Sequence, residues 1–322
     1  MIGDDYGIRD LTFIIVRRGG QRWLEWDRMS VDLQKSLTDT VHSAHLTNAH
    51  FLHISCIPRS VFANSHLKHL QLKAGGWKPS QRFMQALRTK IIMPPTPDLA
   101  PQLESFRTDH SHPIEYFEPE LDSSVSSSES PFSHLSTLAS SVLAPQDFLD
   151  CTKTLERAAH AIKNLHLTFS LQIYEPSKSL DFELFPELRD LEILYLGGPL
   201  FGPFEDGICH ILRLLDCPST SNKLSSIRLI VKLSGIYYYP RDGSFSPAGS
   251  TISTDWRALD SLLSGPKYSS VQTLLFLFRI EFIDKPIIPS EDIFITGAVD
   301  RFNLIFPKAL KSGRLKIIVE VG

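Results

Sequence analysis

Short segments in which apolar and polar residues alternate recur along the chain. In the clearest of them, PELRDLEILYLGG at residues 186–198, Leu191, Leu194 and Leu196 follow an L-x-x-L-x-L spacing that ends at a glycine pair. Alternation of this kind predicts a strand with one buried face, and the glycines predict the turn that ends it. We therefore predict a strand here, with these three leucines as its buried residues.

The same pattern predicts further strands, with helices between many of them. The equivalent first positions are Ile8, Ala49, Leu67, Leu103, Ile162, Leu191, Leu224 and Val271, and a last strand is predicted around Ile317. The intervals are irregular, mostly about 20 to 45 residues, which is close to the range of leucine-rich repeats. Amphipathic stripes that begin near Ser30 and Pro145, and one around Trp256, predict helices between the strands.

These strand and helix units predict the fold class. A single unit is too small to bury its own leucines, whereas stacked units share one continuous core. The sequence therefore predicts an α/β fold, an irregular leucine-rich-repeat solenoid with a parallel sheet on the concave side and helices outside. A doubly wound α/β domain is the alternative, because alternating strands and helices fit it too. The repeated strand spacing, and the lack of a phosphate-binding turn after the first strand, favour the solenoid.

The domain prediction is a single leucine-rich-repeat-like domain over residues 1–322 with one interruption. Between residues 118 and 141 serine dominates and large apolar residues are few. Such a segment cannot bury enough surface to offset its ordering entropy. We therefore predict a disordered, Ser-rich insertion at 118–141, where phosphorylation is chemically possible.

Charge and cysteine content exclude several classes of protein. The 322 residues carry 33 Lys plus Arg against 36 Asp plus Glu, a formal net charge of -3, so no global field favours nucleic acid or an anionic membrane. The four cysteines are widely spaced, form no Cys-x-x-Cys pair, and predict neither a disulfide scaffold nor a zinc site. No apolar run of about 20 residues, basic-then-apolar leader or N-x-S/T sequon occurs, so we expect a cytoplasmic or nuclear protein.

The sequence carries no familiar catalytic motif. The sequence contains no G-x-S-x-G, G-x-x-x-x-G-K-[ST], G-x-G-x-x-G or H-E-x-x-H pattern. Asp109, His110 and His112 form the most site-like cluster, since two imidazoles and a carboxylate can bind a metal. Their loop context and the missing further ligand favour an ordinary loop instead. We therefore predict no enzymatic activity, no cofactor and no metal.

A protein-binding surface follows from the predicted strands. If the leucines face the core, the residues between them face the concave side of the sheet. The predicted binding residues are His69, Lys73, Ile193, Tyr195, Arg228, Ile230, Lys232, Leu275, Leu277 and Arg279. An apolar centre with basic flanks suits a protein partner with an acidic rim. Because side chains alternate along a strand, an error of one residue in register would exchange the two faces.

Three segments carry a resemblance to a known family: PELRDLEILYL from Pro186, WRALDSLL from Trp256, and FPKALKSGRLKI from Phe306. In this order they resemble the leucine-rich region of F-box-like proteins abundant in mushroom-forming fungi, and the resemblance covers most of the chain. It implies the substrate-recruiting arm of a cullin-type ubiquitin ligase. Residues 1–22 show no F-box-like helical segment, so the cullin adaptor is an expected partner only if an F-box is supplied upstream.

Three functions from different classes stay open at this point. The first, which we favour, is a protein-protein interaction module with a protein partner and without nucleic acid or membrane. The second is an α/β hydrolase-like enzyme whose histidine and aspartate are brought together by folding. The third is a degenerate paralogue that has no partner.

Overall fold

The structure is a computed structural model that describes residues 7–16, 24–73, 101–109, 130–142, 145–170, 180–197, 204–216, 222–236, 254–282 and 291–321. It is a mixed α/β fold of parallel strands and helices. Its internal contacts divide the chain into two compact units. Unit 1 is Met1–Ser141 with Asp150–Ile162, and unit 2 is Val142–Leu149 with Lys163–Gly322.

Unit 1 is built from short parallel strands. In chain order it contains β1 (Asp10–Ile14), β2 (Leu24–Glu25), helix α1 (Val31–Val41), β3 (Asn48–Leu52), β4 (Ile54–Ser55), β5 (His69–Lys73), β6 (Ser105–Thr108) and β7 (Thr137–Val142), with 3₁₀ turns at Trp26–Arg28 and Arg59–Val61. The last residue of β7, Val142, is assigned to unit 2. Strands β1, β3, β5, β6 and β7 lie side by side in that order and run parallel. Strands β2 and β4 form a separate parallel pair. Helix α2 (Pro145–Arg157) belongs to unit 2 as far as Leu149 and to unit 1 from Asp150.

Unit 2 repeats this arrangement with longer elements. It contains β8 (Asn164–Ser170), a 3₁₀ turn at Phe182–Leu184, β9 (Asp190–Gly197), α3 (Phe204–Leu215), β10 (Ser226–Ile236), α4 (Thr254–Ser264), a 3₁₀ turn at Pro266–Tyr268, β11 (Thr273–Phe282), α5 (Glu291–Ile305), α6 (Pro307–Lys311) and β12 (Leu315–Val321). Strands β8 to β12 lie side by side in chain order and run parallel. A doubly wound domain reverses its strand order, and the described strands of neither unit do so. Nor does the first described strand of either unit pair with its last, so neither sheet closes into a barrel.

A recurring L-x-x-L-x-L pattern explains why the strands share one register. Its first apolar residue lies two positions before a strand and is at most 2% exposed, as seen for Leu46, Leu67, Leu103, Leu135, Ile162, Leu188, Leu224 and Val271. One backbone carbonyl then accepts two N–H groups of the next repeat. Lys68 O accepts from Glu104 N at 2.7 Å and Ser105 N at 2.9 Å, and Arg189 O accepts from Ser225 N at 2.8 Å and Ser226 N at 3.1 Å. The repeated turn therefore sets each new strand beside the last one in the same register.

The core of unit 2 is densest between its last strands and helices. Five aromatic side chains meet there: Trp256, Phe276, Phe278, Phe302 and Phe306. The rings of Phe278 and Phe302 stack with their centroids 3.6 Å apart, and those of Trp256 and Phe306 meet edge-on at 5.3 Å. These contacts place helices α4 and α5, and the Phe306 junction between α5 and α6, against one face of the sheet.

Part of the predicted Ser-rich insertion is an ordered strand. Residues 130–141 form a turn and most of β7, and Phe132, Leu135 and Leu138 are fully buried. Along β7 buried residues alternate with half-buried ones, so the serines fill a regular strand pattern. The prediction of disorder is therefore corrected for 130–141, while 118–129 lies outside the described residues.

The helices of the described chain are short. The longest, α5, runs over 15 residues. Among the described residues no helix combines the length and the apolar character needed to span a membrane.

Candidate protein-interaction surface

The unit 2 sheet has one face packed on helices and a second face that carries polar and charged side chains. Because side chains alternate, residues next to the helix-packed ones point to this second side, which we call the open face. Strand register places on it His166 and Thr168; Glu192, Leu194 and Leu196; Arg228, Ile230 and Lys232; Leu275, Leu277 and Arg279; and Lys316, Ile318 and Glu320. The open face therefore mixes apolar with charged groups.

An apolar row crosses the middle of this open face. The register brings together one residue from each strand, in the order Thr168, Leu194, Ile230, Leu277 and Ile318. Neighbouring strands lie about 4.8 Å apart, so the row is about 19 Å long. Its two central residues, Ile230 and Leu277, are 9% and 7% exposed, and the other three are half-buried. The row is thus more accessible at its two ends than at its centre.

A charged cluster lies on one side of the apolar row. Glu192 Oε1 is 3.3 Å from His166 Nδ1, and Glu192 Oε2 accepts a hydrogen bond from Arg228 Nη1 at 2.9 Å. The hydrogen bond from His166, followed by the contact with Arg228, lowers the pKa of Glu192 below its ordinary value although partial burial opposes this shift. Each of three neighbouring strands therefore contributes one interacting side chain to this cluster.

Ion pairs also lie on the other side of the apolar row. Lys232 Nζ is 2.8 Å from Glu281 Oε1, and Arg279 Nε donates to Glu320 Oε2 at 2.7 Å. Half-exposed pairs of this kind contribute at most about 1 kcal/mol to stability. Their main consequence is that basic and acidic side chains frame the apolar row on both sides.

Most predicted binding residues of unit 2 are on the open face, but two are not. Arg228, Ile230, Lys232, Leu275, Leu277 and Arg279 are placed there by the register. Ile193 and Tyr195 instead face the helices and are 0% and 1% exposed, so their assignment to the binding surface is wrong. The spacing L-x-x-L-x-L does occur in this repeat, but it runs through Leu188, Leu191 and Ile193.

The missed signal in β9 is the position of its acidic residues. Asp190 and Glu192 alternate with Leu191 and Ile193, which is the pattern of a strand with one buried face. Leu194 and Leu196 mislead because they are apolar although they lie on the open face. Glu192 is the functional candidate that the sequence reading overlooked.

Unit 1 has an open face of different composition. His69 and Lys73 of β5, two of the residues predicted for the binding surface, lie on it together with Gln71 between them. In register with Gln71 are His50 of β3 and Arg107 of β6. We call these five residues the basic patch. The sequence reading did not single out His50 and Arg107.

The described residues show no metal site, and their buried Cys56 thiol is protonated. No group of three His, Cys, Asp or Glu side chains that could hold a metal ion occurs in the described ranges. Of the sequence cluster Asp109, His110 and His112, only Asp109 lies within them. Burial raises the pKa of the Cys56 thiol to about 12, so this thiol stays protonated at neutral pH.

Similarity to known proteins adds nothing to these observations. Comparison with protein-family models, with curated proteins and with solved structures found no match. Residue placement and chemistry on the two open faces therefore carry the functional argument. The structure by itself defines an α/β protein with parallel sheets.

The Glu192 cluster predicts a pH dependence of stability. Because the folded state lowers the pKa of Glu192 from its ordinary value of 4.5, its carboxylate stabilises the fold above that pH. The contribution falls as the pH drops through the lowered folded value. We expect Glu192→Gln to cost about 1 kcal/mol at pH 7 in urea unfolding, and the difference from wild type to shrink below pH 4.5.

Glu320→Gln is the matched control for this prediction. Glu320 also pairs with an arginine on the open face, but it is 49% exposed. We expect this variant to cost at most a few tenths of a kcal/mol. A Glu192→Gln difference that is constant from pH 7 to acid would contradict the assignment.

Proposed function

We propose that the chain is a protein-protein interaction module built as an irregular leucine-rich-repeat solenoid. Parallel strands follow one another in chain order within each unit, and most of the described strands begin with the same buried pattern and the same two-donor turn. Repeats that share a core with their neighbours in this way are typical of solenoids. In this reading the open faces belong to the concave side and the helices to the outer side.

The observation that carries the binding function is the composition of the unit 2 open face. Protein interfaces combine an apolar centre with a polar, partly exposed rim. Here the row through Leu194, Ile230 and Leu277 is framed by ion pairs in which Arg228 and Arg279 are each 51% exposed. Arginine is also enriched among residues that dominate binding energy. The proposal makes the chain a binding protein of the cytoplasm or nucleus and not an enzyme.

The family resemblance extends the proposal to a particular assembly. We propose that the bound protein is a substrate of a cullin-type ubiquitin ligase and that this chain is the recruiting arm. In this proposal the cullin adaptor is a partner only if an F-box is supplied upstream.

Affinity purification from cells of the source organism tests the proposal. The tagged full chain is compared with Arg279→Gln/Lys316→Gln, in which both substitutions lie on the open face, and mass spectrometry quantifies co-purifying proteins. We expect one stoichiometric partner, whose recovery falls about tenfold in the double variant, equivalent to about 1.4 kcal/mol. Recovery of adaptor and cullin with this partner supports the ligase assignment, and a partner without them contradicts that assignment alone.

The matched control changes the same net charge away from the open face. Lys153 and Arg257 are exposed on helices α2 and α4, so Lys153→Gln/Arg257→Gln should leave partner recovery unchanged. If the control variant loses the partner and Arg279→Gln/Lys316→Gln retains it, the open face of unit 2 is not the binding surface. Recovery of no stoichiometric partner by wild type contradicts the interaction module and favours a degenerate paralogue.

A further inference from the structure

The open faces of the two units differ in how their charges are paired. In unit 2, Arg228, Lys232 and Arg279 each contact a carboxylate. In unit 1, the two cations of the basic patch, Lys73 and Arg107, are exposed, and neither makes an ion pair with a described residue. Unit 1 therefore presents positive charge that its own described structure does not neutralise.

Strand register gathers the basic patch into a small area. Gln71 lies between His50 and Arg107 on neighbouring strands, and these strands are about 4.8 Å apart. His69 and Lys73 lie two residues before and after Gln71 on the same strand, at about 6.7 Å each. On the far side of Arg107 is Ala139, whose small side chain leaves the guanidinium accessible.

The acidic side chains that lie near the patch within the described residues already have other partners. Asp10, on the first strand, accepts a hydrogen bond from Asn48, and Glu104 pairs with Lys68 at 2.8 Å. Asp109 directly follows β6 and also makes an interaction of its own. The two cations of the patch thus remain available for an external anion.

We propose that the basic patch of unit 1 binds an acidic segment of the partner protein. The inference rests on the proposed function and specifies its partner chemistry. Arg107 can bind a carboxylate through two parallel hydrogen bonds, and Lys73 adds a second positive charge on the adjacent strand. Alternate residues of an extended peptide are about 6.7 Å apart, a spacing that lets two acidic side chains reach Arg107 and Lys73 together.

The composition of this face favours a peptide over a nucleic acid. Proteins that bind single strands combine cationic grooves with aromatic side chains on which bases stack. The described open-face positions of β1, β3, β5, β6 and β7 include no Phe, Tyr or Trp. The patch can therefore pair with carboxylates but lacks such stacking platforms.

A fluorescein-labelled hexaglutamate peptide tests this inference with the full-length chain. Fluorescence anisotropy at low salt measures its affinity for wild type, for Lys73→Gln/Arg107→Gln, and for the charge-matched control Lys35→Gln/Arg257→Gln. Both control residues are exposed on helices. We expect the patch variant to bind about tenfold more weakly, since it loses both charge-assisted contacts to the peptide and low salt screens such contacts only weakly. The control should bind like wild type, and circular dichroism should show that all three proteins are folded.

Three results would overturn the inference: no binding of hexaglutamate by wild type, equal weakening in both variants, or tighter binding of a single-stranded oligonucleotide of equal charge through Lys73 and Arg107. Its failure is separable from failure of the proposed function. If hexaglutamate does not bind but capture of a partner still requires Arg279 and Lys316, the acidic-segment inference is wrong and the proposed interaction module is still supported.

Discussion

Replacing Ile193 with asparagine is expected to lower the free energy of unfolding by about 4 kcal/mol. Ile193 is 0% exposed and lies between Leu167 and Leu229, each 1% exposed, in the strand register. The variant loses apolar burial and places an amide group between two buried leucines. Since domains are stable by only about 5–15 kcal/mol, urea unfolding followed by circular dichroism should detect a large shift of the midpoint.

Leu194→Asn is the matched control, because it makes a similar change one residue further along the same strand. Leu194 points to the open face and is half-buried. We expect this variant to cost about 1 kcal/mol or less. Equal costs at the two positions, or a larger cost at Leu194, would contradict the observed register of β9.

Replacing Phe278 with alanine is the second large change, with an expected cost of about 3–5 kcal/mol. Phe278 is 0% exposed, stacks on Phe302 with centroids 3.6 Å apart, and lies 6.3 Å from the ring of Trp256. Truncation leaves a cavity that rigid neighbouring rings from two helices cannot fill. Chemical denaturation at pH 7 measures this loss.

Leu304→Ala provides the comparison for this truncation. Leu304 lies on the same helix as Phe302, but it is 73% exposed. We expect its truncation to cost less than about 0.5 kcal/mol. Phe278→Leu should retain more of the stability than Phe278→Ala, because a larger apolar side chain fills more of the space. A Phe278→Ala cost as small as that of Leu304→Ala would contradict the aromatic core.

The local sequence pattern predicted most of the strands but missed β7. All eight equivalent first positions lie within two residues of an observed strand start, from Ile8 beside Asp10 to Val271 beside Thr273. Strand β7 was missed because serines occupy several of its positions, although Leu135 and Leu138 carry the same L-x-x-L spacing. Composition alone favoured disorder there, since it ignores which residues alternate.

Prediction of the candidate surface depended on how unambiguous each strand is. In β10, Arg228 and Lys232 mark the open face clearly, so all three predicted residues lie there. In β9, Ile193, Leu194, Tyr195 and Leu196 are all large and apolar, so either phase of the alternation is chemically plausible. Leu188 then decides which set of alternate residues faces the core, because it is buried two residues before the strand begins.

The amino-acid sequence by itself determined that this chain forms parallel strands in a repeating α/β pattern, because alternation and the L-x-x-L-x-L spacing act within a few residues. Only the tertiary structure decided which residues meet across strands. His166, Glu192 and Arg228 come from three different repeats, and their cluster exists because the repeated turns align those strands. The pairing of charges on unit 2 and their lack of pairing on the basic patch are likewise products of register, which no local pattern records.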